Sequence, residues 1–249
     1  YSARGMMRRY HVETVCTTDD PIDSLTPTGW KEAELLSERL VKTPADAYYV
    51  SPLGRAKDTA SLTLKKLGRT AETKEWLREF SPRIVKPGMD RSTSIWDWLP
   101  EIWTKELRYY DPEEWYHTDA MRSVNAEQEY KWVTKEFDRL LAFHGYEREG
   151  LYYRAVRPNR DTIVLFCHFG VECVLLSHLL HVSPMPLWHG LCAAPSSVTT
   201  IYTEERRQGI ASFRANAFGD ISHLYAAGEE PSFAARFCET WDNENERHD

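Results

Sequence analysis

The sequence predicts an α/β fold, a three-layer sandwich in which a mainly parallel central sheet is flanked by helices. Three observations carry this. Short β-rich or apolar runs alternate with amphipathic helical segments, the order that builds a layered parallel sheet. The run Asp161–Cys167 (DTIVLFC) is almost continuously apolar, as in strands buried on both faces. The 249 residues, 42% hydrophobic and 28% charged, suffice for a sizeable core.

The elements follow in order. Thr26-Pro27 supplies an N-cap and a first helical position, and Ala33, Leu36 and Leu40 then recur at helical spacing, which predicts a helix through the segment TGWKEAELLSERLV. The β-rich run at 46–50 is stopped by Pro52. A second helix follows, with Ala56, Ala60, Leu64 and Leu67 on one face and Gly68 as its stop. The strand at 161–167 leads into VECVLLSHLL, apolar on all sides and therefore a buried helix. Two β-rich runs around a polar turn at Gly209 predict a hairpin.

Residues 81–159 have a different texture, dense in Trp and Tyr, with prolines at 82, 87, 100 and 112 and one amphipathic helix at about 126–144. They are expected to form an inserted region over one end of the sheet. There Trp96, Trp98, Trp103 and Trp115 would either wall a substrate entrance or form the insert's own core, and a self-association surface is a further use of the same segment.

Composition excludes some functions. With 31 Lys and Arg against 38 Asp and Glu, a net charge of −7 leaves no broad basic surface for a nucleic-acid backbone, so an anion site must be a local pocket. No apolar run approaches the ~20 residues of a membrane span. Five cysteines, odd in number, with Cys167 and Cys173 in apolar surroundings, fit reduced thiols in a cytoplasmic protein. No metal-ligand spacing appears, and neither metal nor cofactor is expected.

Ligands of open α/β sheets bind outside the carboxyl ends of the strands. The strand at 46–50 ends in Ser51-Pro52-Leu53-Gly54-Arg55, and that at 161–167 ends in His168-Phe169-Gly170. One edge would then hold a guanidinium, whose rigid fork of donors matches phosphate, and an imidazole, which can donate a hydrogen bond or act as a nucleophile. Gly170 would allow close approach of backbone and substrate.

The blocks LTPTGWKEAELLSERL, SPLGRAKDTA, WLREF, TIVLFCHFG and FGDISHL, in this order, resemble the histidine phosphatase superfamily, the phosphoglycerate-mutase-like fold. The resemblance spans Asp23 to Leu224, and SPLGRAKDTA carries its most specific signal. It implies one domain over 1–249 with an inserted cap at about 81–160. It makes His168 the second catalytic histidine, Arg55 a phosphate ligand with Phe169 beside it, and Glu79 the proton donor to the leaving group. A carboxyl kept protonated by desolvation would speed alkoxide departure by ~10²–10⁴-fold. His223, in the late block, is expected to be structural.

The family's nucleophile stands in an Arg-His-Gly motif at the end of the first strand, and this chain has no such run. Two alignments are open. Tyr10-His11-Val12-Glu13-Thr14 keeps the histidine and the trailing Glu-Thr, while Arg4-Gly5 keeps the flanks without the histidine. His11, the only histidine of the region, is the expected nucleophile and Arg4 a further phosphate ligand, although the run GMMRRY before His11 makes a poor buried strand. The implied activity is hydrolysis of a phosphomonoester of a small molecule through a phosphohistidine. A phospho-ligand or protein-binding module on the same fold and mutase-type phosphoryl transfer are the alternatives. The expected partner is a small phosphorylated substrate, with no nucleic acid and no membrane, in a monomer or homodimer.

Overall fold

The computed structural model describes residues 8–14, as backbone, together with 23–232 and 240–245. Arg4 lies outside them. The first strand, β1 (Arg8–Thr14), is followed by α1 (Pro27–Leu40), β2 (Ala47–Val50), α2 (Gly54–Leu67) and the two-residue β3 (Glu72–Thr73). A small hairpin, β4 (Arg83–Val85) and β5 (Ser92–Ser94), precedes the short helices α3 (Pro100–Trp103) and α4 (Asp119–Arg122) and the long α5 (Ala126–Phe143). Then come β6 (Tyr146–Glu149), β7 (Tyr152–Ala155), β8 (Ile163–Cys167), α6 (Phe169–Leu180) and α7 (Pro184–Gly190). The chain continues through β9 (Val198–Arg207), β10 (Ile210–Asp220) and α8 (Ser222–Ala226).

Local chemistry accounts for several boundaries. Thr26 caps α1 by accepting a 3.1 Å bond from the Gly29 amide, with Pro27 in the first turn where its missing donor costs nothing. Gly68 ends α2 in the left-handed region at φ 61°. Gly209, at φ 77°, closes the β9–β10 turn.

The main sheet runs β3-β2-β8-β1-β9-β10-β7-β6. Its first four strands are parallel, and the hairpins β9–β10 and β6–β7 extend it antiparallel. The sheet is therefore mixed, because a tight turn can join only antiparallel neighbours. Arg8–Thr14, which takes in the last residues of the run GMMRRY read as a poor buried strand, holds a central place between β8 and β9. Tertiary pairing overrides its composition.

Alternation along β8 divides the core. Val164 and Phe166 face Leu36, Leu40, Ala56 and Ala60 of α1 and α2. Ile163, Leu165 and Cys167 face the layer of α5 and α6 on the other side. Ten of the twelve residues of α6 are buried, as its all-round apolar sequence requires.

Residues 81–160 do not stand apart from this frame. The β6–β7 hairpin belongs to the main sheet, and Ile84, Ile95, Trp98, Trp115 and Met121 share a continuous core with β8 and α6. Trp115 is fully buried, while Trp96 and Trp103 pack against the same core as partly buried side chains. Of the two uses foreseen for these tryptophans, the core is the one Trp98 and Trp115 serve.

Candidate functional site

The parallel register of β2 and β8, with Val50 opposite Phe166, brings the two strand ends together, and the Ser51 amide continues the ladder onto the Phe166 carbonyl at 2.8 Å. The next residues of each strand then meet. Ser51 Oγ and His168 Nε2 lie 2.8 Å apart, both residues being buried at the sheet edge. The hydroxyl also accepts from the Leu53 amide at 3.2 Å, which fixes its rotamer. His168 is the residue from which α6 springs, so its imidazole orientation is set by a strand end, a helix start and Ser51.

Arg55 sits in the first turn of α2. Its Nη1 donates to Asp23 Oδ1 at 3.1 Å, and the Asp23 carboxylate also accepts from the Gly54 and Arg55 amides. The carboxylate thus occupies the positive end of the helix. Desolvation opposes its charge, but these amides and the guanidinium outweigh it and hold Asp23 below the usual carboxylate range. A Cβ on Gly54 would fall 1.9 Å from the Asp23 carbonyl oxygen, so only glycine permits this approach.

Glu79 follows a single 3₁₀ turn at Glu75–Leu77 and points at the start of α6. Its Oε1 accepts from the Phe80 amide at 2.8 Å and from the Val171 amide at 3.1 Å. Gly170 makes the fit possible, because a Cβ there would lie 2.6 Å from Glu79 Oε1, 2.7 Å from Trp96 Nε1 and 2.9 Å from the Phe80 carbonyl oxygen. Trp96 Nε1 donates to that carbonyl at 3.0 Å. Burial pushes the Glu79 carboxyl above its ordinary range, against the pull of the Phe80, Val171 and Gly170 amides and of the Arg55 cation. The residue keeps some solvent exposure, so a proton held there can pass to a group in the adjoining cleft.

That cleft, of about 990 Å³, is lined by Arg55 and Glu79 on one side and by Asn125, Gln128, Glu129 and Trp132 of the α5 end on the other. The structure therefore joins Arg55 and Glu79 in one cleft and joins His168 to Ser51 at the strand end behind it. Phe169 is buried, its ring edge-on to Trp96 at 6.0 Å, which leaves its backbone as the part able to meet a ligand.

His11 is placed differently from the sequence expectation. Its backbone pairs with Val164 in β8 and Thr200 in β9, within the strand. Its partner Val164 lies four residues before His168 along the neighbouring strand. At about 3.3 Å per residue the offset is about 13 Å along the strand. Pairing register, not residue type, sets this distance. His223 is buried beside Arg39, 3.3 Å from its Nη1, and burial with that cation pushes its imidazole down to about 4. It serves the α1–α8 contact, away from the cleft.

Sequence reasoning passed over Ser51, Asp23 and the cleft face of α5. Ser51 stands inside the SPLGRA block, but its use depends on the β2–β8 register. Asn125 had no sequence signal beyond its residue type, although it holds φ 53° as the residue preceding α5. Among the described residues no group of three or more His, Cys, Asp or Glu could hold a metal ion, and no helix is long and apolar enough to cross a membrane.

Comparison with known proteins agrees with this architecture. A phosphoserine phosphatase mutant from Entamoeba histolytica, in complex with phosphoserine, superposes with a TM-score of 0.55 at 18% identity, covering 88% of this chain and 100% of that one. A mycobacterial glucosyl-3-phosphoglycerate phosphatase gives 0.53 at 20% identity, over 86% and 99% of the two chains. YhfR of Bacillus stearothermophilus gives 0.54 at 19% identity, over 87% and 99%. These likenesses are of fold. A 25-residue stretch is 96% identical to uronate isomerases of Phocaeicola vulgatus and Bacteroides thetaiotaomicron, a match that spans 10% of this chain and only 5% of those enzymes. A stretch so short carries no argument about activity. The family model of the histidine phosphatase superfamily, branch 1, matches residues 11–216, from β1 into β10. That span is most of the chain and takes in the strand-end histidine and the α2 arginine, and the chain belongs to the histidine phosphatase superfamily.

Proposed function

We propose that this chain is a phosphatase acting on phosphomonoesters of small organic molecules. The observation that carries the reading is Glu79, a carboxyl with raised proton affinity held in the same cleft as Arg55 and beside the start of the helix that His168 opens. A phosphoryl group there would meet the Arg55 guanidinium, with the His168 imidazole at the strand end behind it, and both would stabilise charge on its oxygens. Its ester oxygen would meet a protonated acid. In phosphoryl transfer such positioning and charge stabilisation supply most of the rate.

In this reading a histidine nitrogen bonds to phosphorus in line as the phosphorus–ester oxygen bond breaks. Glu79 gives its proton to the departing oxygen. The Glu79 carboxylate then takes a proton from water, the water oxygen bonds to phosphorus, and phosphate leaves the imidazole free. His11 is the nucleophile expected from the sequence and would reach phosphorus only by leaving its pairing with Val164 and Thr200; His168, Arg55 and the Phe169 backbone would surround the phosphoryl group, and Arg4 is assigned to the same phosphate by family resemblance alone.

The register of His11 favours a second reading, in which the fold binds a phosphorylated ligand through Arg55 and His168 without turning it over. Hydrolysis of an aryl phosphate, with quenched samples assayed for a base-stable, acid-labile phosphoenzyme, decides between the two. Turnover with that intermediate, lost in His168→Ala and in His11→Ala, supports the phosphatase as written. Phosphate binding that needs Arg55, with no turnover, supports the second reading and removes the enzyme assignment.

A further inference from the structure

The cleft is larger than a phosphate requires, and its far wall has a composition that neither Arg55 nor Glu79 explains. Gln128, Glu129 and Trp132 lie on one helical face of α5 and line the cleft together with Asn125, the residue before the helix. Arg78 crosses from the opposite side. Its Nη2 donates to Glu129 Oε1 at 2.6 Å, and its guanidinium lies 4.8 Å from the Trp132 ring centre. The charges of that pair therefore cancel, and stacking on the indole holds the guanidinium in place.

The remaining charge is informative. Among the described residues that line the cleft, Arg55 and Arg78 are the cations, the first committed to Asp23 or to a phosphoryl group and the second to Glu129. No lining cation is left over for a second anion. Likewise Glu129 is already paired, so an ammonium gains little. What the far wall does offer is neutral. It has the amide of Gln128, the amide of Asn125, which makes no capping bond to its own helix, the hydroxyl of Ser81, and the apolar surfaces of Trp132, Val124 and Pro82. Planar amides that both donate and accept match hydroxyl groups, and apolar indole surface matches the C–H surface of a ring.

We propose that this wall is a leaving-group subsite for an uncharged, hydroxyl-rich alcohol, so that the preferred ligand is a sugar or polyol monophosphate whose phosphate is its only charge. The inference rests on the phosphate reading of Arg55 and deepens it.

Calorimetric titration of the full chain with glucose 6-phosphate, 3-phosphoglycerate, phosphoserine and inorganic phosphate tests it without requiring turnover. Glucose 6-phosphate should bind at least about tenfold more tightly than the other three, equivalent to about 1.4 kcal/mol. The double variant Gln128→Ala/Asn125→Gly, in which glycine keeps the positive φ available, should abolish that preference and leave inorganic phosphate affinity unchanged. Equal or tighter binding of 3-phosphoglycerate or phosphoserine overturns the subsite, as does a preference that survives in the double variant. Arg55-dependent binding of inorganic phosphate with no gain from the sugar refutes the subsite alone. Loss of both, with Arg55→Ala indistinguishable from the unaltered chain, refutes the phosphate site as well.

Discussion

Replacing Gly170 by alanine tests the arrangement around Glu79 directly. The new methyl would sit 2.6 Å from Glu79 Oε1, 2.7 Å from Trp96 Nε1 and 2.9 Å from the Phe80 carbonyl oxygen, each well inside van der Waals contact. One obstacle is backbone and another is an indole already bonded to that same carbonyl, so the carboxyl is the group that must move. Overpacking of this kind costs about 1–3 kcal/mol. For a chain of this size that is a fall in Tm of roughly 2–12 °C. Moving the carboxyl by about 1 Å also breaks its bond to the Val171 amide and, with Glu79 as the proposed proton donor, can cost on the order of 10²-fold in rate. Thermal unfolding and kcat on an alkyl phosphate measure the two effects. Gly190→Ala is the control, since a methyl there meets nothing within 4 Å and the helix α7 should tolerate it within about 1 kcal/mol. A Gly170→Ala protein with unaltered Tm and kcat would refute the claim that this glycine exists to admit Glu79.

Three further variants have expected outcomes. Glu79→Gln should lower kcat for alkyl phosphates by about 10²–10⁴-fold, much less for aryl phosphates whose leaving group needs no proton, and should remove the alkaline fall of the rate. Because burial raises the Glu79 carboxyl in the folded chain, its contribution to stability is present at acid pH and is lost as pH rises through the folded value; urea midpoints of the Gln variant and the parent should therefore diverge in the variant's favour between pH 4 and pH 8. Asp23→Asn should release Arg55 from a partly exposed ion pair worth at most about 1 kcal/mol and tighten inorganic phosphate binding by up to about fivefold, as read by calorimetry. His223, pushed down to about 4 by burial and Arg39, favours the folded state when neutral, so its contribution is present above the ordinary imidazole value and is lost as pH falls toward 4. His223→Gln should flatten the decline in urea midpoint over that window.

Much of this molecule can be read from short stretches of chain. Thr26-Pro27 starts α1, Gly68 stops α2 and Gly209 turns β9 into β10 because each is a matter of sterics or one hydrogen bond among neighbours a few residues apart. The apolar run of β8 and the all-round apolar α6 announce burial for the same local reason, and together with the SPLGRA block they suffice to put Arg55 and His168 at one edge. Tertiary structure alone decided the rest. Glu79 meets the Val171 amide across 92 residues of sequence, Ser51 meets His168 across 117, and Asp23 meets Arg55 only once α2 is docked. The strand β1 forms because β8 and β9 offer it unpaired backbone on both sides, and its register then sets His11 four positions before the level of His168. Sequence determines which residues can bond to near neighbours; which distant groups share a cleft depends on register and packing, and those are properties of the whole sheet.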